Sequence, residues 1–165
     1  AVEEAVALLR TLAERRPEAF TPDRASSLNT LSKRLSALGH REEALVAVEE
    51  AVALYRSLAA TRPDAFMHDL ATSLARRAEV LLEADRPAEA ASSVGEFFLL
   101  IAPLVKRFPQ ALAQQTMGNF SLYGRACQAA GIEPDMELID PILQTLVEHG
   151  LVDPADDAED HDTPA

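Results

Sequence analysis

One phrase recurs along the chain, and it constrains the fold more than any other feature. Val48 to Phe66 reads Val-Glu-Glu-Ala-Val-Ala-Leu-Tyr-Arg-Ser-Leu-Ala-Ala-Thr-Arg-Pro-Asp-Ala-Phe. Val2 to Phe20 reads Val-Glu-Glu-Ala-Val-Ala-Leu-Leu-Arg-Thr-Leu-Ala-Glu-Arg-Arg-Pro-Glu-Ala-Phe. A third, diverged copy ends in Phe108-Pro109-Gln110-Ala111-Leu112, and Pro17, Pro63 and Pro109 recur every 46 residues. A fixed period of this size marks stacked supersecondary units, each too small to bury its own apolar face.

Within the period the apolar spacing is helical. Ala1 to Arg15 carries Val2, Ala5, Val6, Leu8, Leu9 and Leu12 close to the i, i+3, i+4, i+7 pattern. Pro17 is expected to stop that helix at Arg16, and Thr21-Pro22 to start the next. Leu28, Leu31, Leu35 and Leu38 then form a stripe that Gly39 closes in the left-handed conformation. A helix from about Glu42 to Thr61 is expected to bury Ala44, Val48, Ala51, Val52, Tyr55 and Leu58. The next, Met67 to Ala84, buries Leu70, Leu74, Ala78 and Leu81, and Asp85 takes the left-handed position of the missing glycine. Pro87 to Phe108 is weakened at Gly95 and bent at Pro103. Gln110 to Ala130 follows, closed by Gly131; Asp135 to Ile139 makes a separate turn, and Asp140-Pro141 opens a last helix ending at His149-Gly150.

Composition narrows the functions. The 165 residues are 48% hydrophobic with no Trp, enough for one continuous core of Leu, Ala and Val. The formal charge is −12, and half of it lies after Val152, on Asp153, Asp156, Asp157, Glu159, Asp160 and Asp162. Such a chain repels phosphate backbones and anionic lipid, which argues against nucleic acid or a membrane surface as partner. The single cysteine, Cys127, has no internal disulfide partner, as expected of a reducing, cytoplasmic setting. The longest apolar run, Phe97 to Val105, is too short to span a bilayer and reads as a buried helix. Residue 1 already lies inside a repeat, so a parent protein that begins upstream is expected.

Catalytic chemistry is not legible. His40, His68, His149 and His161 are scattered, with neither an i, i+4 pair nor a cysteine cluster, so no metal site or cofactor is expected. No phosphate-cradling glycine loop or nucleophile elbow is present. Cys127 shares a register position with Leu35 and Leu81, a core position. The acid pairs Glu3-Glu4 and Glu49-Glu50 repeat with the fold and read as solvated faces. A non-catalytic protein is expected.

Leu28, Leu31, Leu35, Gly39, Ala44, Val48 and Ala51, with the turn Leu38-Gly39-His40-Arg41-Glu42-Glu43-Ala44-Leu45 and the later Tyr123-Gly124 and Gly131, resemble the tetratricopeptide repeat over about residues 1 to 131. The 46-residue period exceeds that family's usual length of about 34. Ser32 and Ala78 stand where the family often has Gly, and Arg77 where Leu31 and Tyr123 stand. Long-period arrays of this phrasing are similar to those of actinobacterial multidomain proteins, often joined to nucleotide-binding signalling or caspase-like modules. The resemblance implies an all-α, right-handed α-solenoid of antiparallel helix pairs with about seven helices over residues 1–152. Residues 1–15 would be the orphan second helix of a truncated repeat, 132–152 a degenerate C-terminal cap, and 153–165 a disordered acidic tail.

The resemblance further implies a scaffold that binds a protein or peptide in a concave groove lined by the first helix of each pair, as the sensor or interaction arm of a larger signalling protein. Projected onto this chain, the groove holds Ser26, Asn29, Lys33 and Ser36, then Thr72, Arg76, Glu79 and Glu83, then Ser121, Arg125 and Gln128. Asn29, Lys33, Arg76, Glu79, Arg125 and Gln128 are the candidate partner-binding residues, the cations suiting a carboxylate or an acidic peptide. Two alternatives stand beside it. Val2, Val6, Leu9 and Leu12 form a stripe through which the chain would self-associate as a homo-oligomer, and a small-molecule or signalling-peptide sensor is a third reading.

Overall fold

The computed structural model describes residues 4, 6–8, 11 and 17–153. Among them Glu4, residues 6–8 and Thr11 are helical, and six helices follow: α1 Pro17–Ala37, α2 Arg41–Thr61, α3 Pro63–Glu83, α4 Pro87–Arg107, α5 Pro109–Ala130 and α6 Met136–Glu148. The described chain is all-helical, its helices packed in neighbouring pairs. The expectations at Val2, Leu9, Leu12 and residues 154–165 fall outside the described residues.

Two 21-residue helices, a three-residue turn and one joint residue fill each 46-residue period. The joint is Arg62 between α2 and α3 and Phe108 between α4 and α5, at φ −138° and −136°. With ψ of 72° and 56° both residues lie outside the helical region, which a following proline disfavours in its neighbour. The joint residue serves both helices: the Arg62 N–H donates to the Leu58 carbonyl at 2.8 Å while its own carbonyl accepts from Phe66 at 3.2 Å. Phe108 does the same with Leu104 and Leu112, at 2.8 and 3.3 Å. Proline at the first helical position loses nothing, because its N–H would have had no partner there.

This geometry corrects two sequence expectations. The segments after Pro17 and Pro63 are already helical, so α1 and α3 start at those prolines rather than at Thr21 and Met67, and Pro22 lies inside α1. Likewise α6 is one helix from Met136, with Pro141 inside it. Its start is fixed by Asp135, whose side chain accepts from the Glu137 N–H at 3.0 Å. Burial of Ile139, Ile142 and Leu146 in the core offsets the hydrogen bond that Pro141 forgoes.

The inter-helix turns repeat the same closure. Gly39, Asp85 and Gly131, each 46 residues apart, have φ of +81°, +59° and +67°. After each, the next N–H returns to the carbonyl five residues earlier: His40 to Leu35, Arg86 to Leu81 and Ile132 to Cys127, at 2.9, 2.9 and 3.0 Å. Gly150 closes α6 in the same way through Leu151 and Leu146 at 2.9 Å. Asp85 adopts the left-handed conformation expected of it.

The first helices form one layer, α1 against α3 and α3 against α5, while α2 and α4 approach through the Arg56–Glu96 ion pair. The main core runs from Ala25 to Leu146, and Leu74, Leu81, Ile101, Ile142 and Leu146 are fully buried. Leu35, expected inside, is only half-buried, whereas its register partners Leu81 and Cys127 are sealed. At the other end α6 lies across α4 and α5. It covers Gly95, where a Cβ would stand 3.6 Å from Leu138. Phe97 and Phe98 are fully buried, Phe98 stacking on Phe120 at 5.0 Å and meeting Tyr123 edge-on at 5.6 Å. Each such ring contributes about 1.5–3 kcal/mol by leaving water.

Asp85 is the one turn position of the three that holds a side chain in the left-handed region. Asp85→Gly should therefore raise stability by about 1 kcal/mol, and Gly39→Ala lower it by a similar amount. Urea denaturation of the two variants beside the parent checks both signs.

Candidate functional site

The layer of first helices carries a polar cleft of about 420 Å³ between α1 and α3. Ser26, Asn29, Thr30 and Lys33 line it from α1, Asp69, Thr72 and Arg76 from α3, and Tyr55 from α2 below. Helical spacing places them there, since residues three and four apart share a face. Lys33 brings an exposed ammonium, and Asp69 the one carboxylate of the lining.

Hydrogen bonds across the layer hold the cleft walls. Asn29 donates through Nδ2 to Ser73 Oγ at 2.7 Å, and Ser73 donates to the Asp69 carbonyl at 2.9 Å. Ser36 donates to the Glu83 carboxylate, and Arg76 pairs with Glu79 one turn along α3. Gln115 of α5 donates to Thr72 Oγ1 at 3.1 Å, and its Oε1 lies 3.0 Å from His68 Nε2. Arg24 of α1 pairs with Glu50 of α2. Under α3, Arg77 reaches Ser93, Glu49 and Glu89, tying α2, α3 and α4 together.

Of the residues projected from the sequence, Asn29, Lys33 and Arg76 meet in this cleft with Ser26 and Thr72. Glu79 adjoins through its ion pair with Arg76, which ties up part of the guanidinium. Arg125 and Gln128 are exposed on α5 and are not part of the lining. Tyr55 and Asp69 were not anticipated. Tyr55 is the polar member of the register set Leu9, Tyr55 and Ile101, a signal that could have marked it.

Val6, one of four residues assigned to self-association, is only 7% exposed and packs with Leu28, Ala47 and Ala51. Its side chain is spent within its own chain. His40 lies 3.3 Å from Glu43, and His149 Nδ1 2.8 Å from the Thr145 carbonyl. Among the described residues no three His, Cys, Asp or Glu side chains are grouped to hold a metal ion. Burial pushes the Cys127 thiol up, against a hydrogen bond with Tyr123 that lowers it. One described helix, α4, is long and apolar enough to cross a membrane, and its Val94, Phe97, Phe98, Ile101 and Val105 are fully buried in the fold. The chain matches no family model, no curated protein and no solved structure.

Tyr55 forms the floor. Burial raises its hydroxyl from 10.0 to about 12, Asp69 adds to the rise, and a hydrogen bond with Ser26 opposes it. Below pH 10 the phenol is neutral whether the chain is folded or not, so this term leaves stability unchanged. Between pH 10 and about 12 the unfolded chain ionises first, and stability falls. Ultraviolet titration of Tyr123→Phe should show the remaining phenol ionising well above the unfolded chain, at about 12, and a midpoint near 10 would contradict the burial.

Proposed function

We propose that the chain is a non-catalytic scaffold, an α-solenoid segment of tetratricopeptide type that binds a protein or peptide along its first helices. The cleft between α1 and α3 carries this reading, because Asn29, Lys33 and Arg76 converge there from two successive repeats. An acidic side chain or terminal carboxylate meets the Lys33 ammonium and the free edge of Arg76, while Asn29, Thr30 and Thr72 supply neutral hydrogen-bonding groups for the peptide. Asp69 at the same cleft favours a ligand with mixed polarity over a plain polyanion. The tight layer of first helices and the wider approach of α2 to α4 favour the inner, concave position for this face.

The buried thiol of Cys127 suits a cytoplasmic setting, and repeats of this kind suit the interaction arm of a larger signalling protein. Self-association through the first helical segment loses Val6 from its contact stripe, which places it second.

Titration by calorimetry with a peptide library ending in Asp or Glu tests the proposal. Lys33→Glu with Arg76→Glu should weaken a captured acidic peptide by about tenfold or more, as expected for one lost charge-assisted contact of roughly 1.5–3 kcal/mol. Equal binding by the parent and this double variant would remove the cleft from the site.

A further inference from the structure

The three copies of the joint differ in a way that opens a second site, independent of the cleft between α1 and α3. The first two read Arg16-Pro17-Glu18-Ala19-Phe20 and Arg62-Pro63-Asp64-Ala65-Phe66; the third reads Phe108-Pro109-Gln110-Ala111-Leu112. At the second joint the Phe66 ring packs against the core, 6.5 Å from the Tyr55 ring, with the Arg62 guanidinium 4.9 Å above it. The third joint has exchanged these parts. Leu112 stands where the ring stood, and Phe108 stands where the cation stood, 49% exposed.

Beside this joint lies a pocket of about 240 Å³ lined by Asp64, Met67, His68, Leu104, Phe108, Ala111 and Leu112. Four of its walls, Leu104, Phe108, Ala111 and Leu112, are the register partners of Leu58, Arg62, Ala65 and Phe66. The pocket thus opens at the joint whose aromatic and joint residues differ from those of the other two copies. On its rim Asp64 is exposed, with no ion pair among the described residues, and one neighbour, Phe108, offers a ring. Arg107 already lies 5.1 Å from that ring, which leaves Asp64 as the group open to a ligand's cation. The chain carries −12 overall, so its field draws cations toward such a rim.

We infer that this pocket binds an aromatic side chain flanked by an arginine or lysine on a partner peptide. The ligand supplies from outside the ring and cation that the second joint carries as Phe66 and Arg62. Its ring enters against Leu104, Leu112 and Met67, and its cation meets Asp64.

The test uses the whole chain, carbon-labelled at its Leu, Met and Ala methyl groups, titrated with the dipeptide N-acetyl-Phe-Arg-amide. Saturable shifts at Met67, Leu104, Ala111 and Leu112 are expected. N-acetyl-Ala-Arg-amide should leave these methyls in place, and N-acetyl-Phe-Glu-amide should bind about fivefold more weakly, the size of one exposed charge contact. Leu112→Phe restores the residue of the other two copies, so it should fold and lose the response. Asp64→Asn, a surface change, should retain the ring's shifts with affinity reduced by a similar factor of about five. Absence of shifts in the parent, unchanged shifts in Leu112→Phe, or equal affinity for the Arg and Glu dipeptides would each overturn the proposal. So would methyl shifts that follow protein concentration without peptide, which would seat a second copy in the pocket.

Discussion

A single residue before a proline governs the architecture. At Arg62 and Phe108 the pre-proline backbone is held out of the helical region, so the chain leaves one helix and enters the next with no loop between them. Each joint residue completes the outgoing helix with its N–H and opens the incoming one with its carbonyl. The consequence is a fixed relative direction for successive pairs. Repeated every 46 residues, it brings α1, α3 and α5 into one layer, and the polar cleft and its cross-layer hydrogen bonds exist because of that layer.

The three-residue turns act with the joints. A left-handed residue at 39 and 85 folds each second helix back along the first, and at 39, 85 and 131 the same carbonyl positions, Leu35, Leu81 and Cys127, accept the closing bond. After Gly131 the pattern stops, since the next helix begins at Met136 and is only 13 residues long. That shorter helix crosses α4, and Gly95 gives it room. The aromatic cluster of Phe97, Phe98, Phe120 and Tyr123 fills the same end. In register terms Phe97 and Phe98 replace Ala51 and Val52, so the core is bulkiest where the regular stacking ends.

Much of this was legible in the residues. Proline spacing gave the period, and Gly39, Asp85 and Gly131 gave the turns, because a left-handed position has a narrow choice of residue. The helix starts at Pro17 and Pro63 were misread for a physical reason: a proline that ends one helix opens another equally well when one residue separates them. Of the cleft, the polar residues of the first helices were visible from periodicity. Tyr55 and Asp69 were not, since Tyr55 lies on a second helix among core residues and reaches the cleft only through the packing of three helices. The ties of Arg24 to Glu50 and of Ser36 to Glu83 join residues 26 and 47 positions apart, beyond any local pattern. Leu35 followed the core stripe by spacing, yet its exposure depends on what packs against α1 from outside the pair.

The joint can be tested alone. One alanine inserted between Arg62 and Pro63 lengthens it by a residue and leaves every side chain in place, and the stability of that chain is measured by equilibrium denaturation. If one residue must close α2 and open α3 together, the insertion misplaces α3 against α2, and stability should fall by at least about 2 kcal/mol, the scale of a disrupted core contact. A change below about 0.5 kcal/mol, the range of ordinary surface substitutions, would show that the joint does not set the packing.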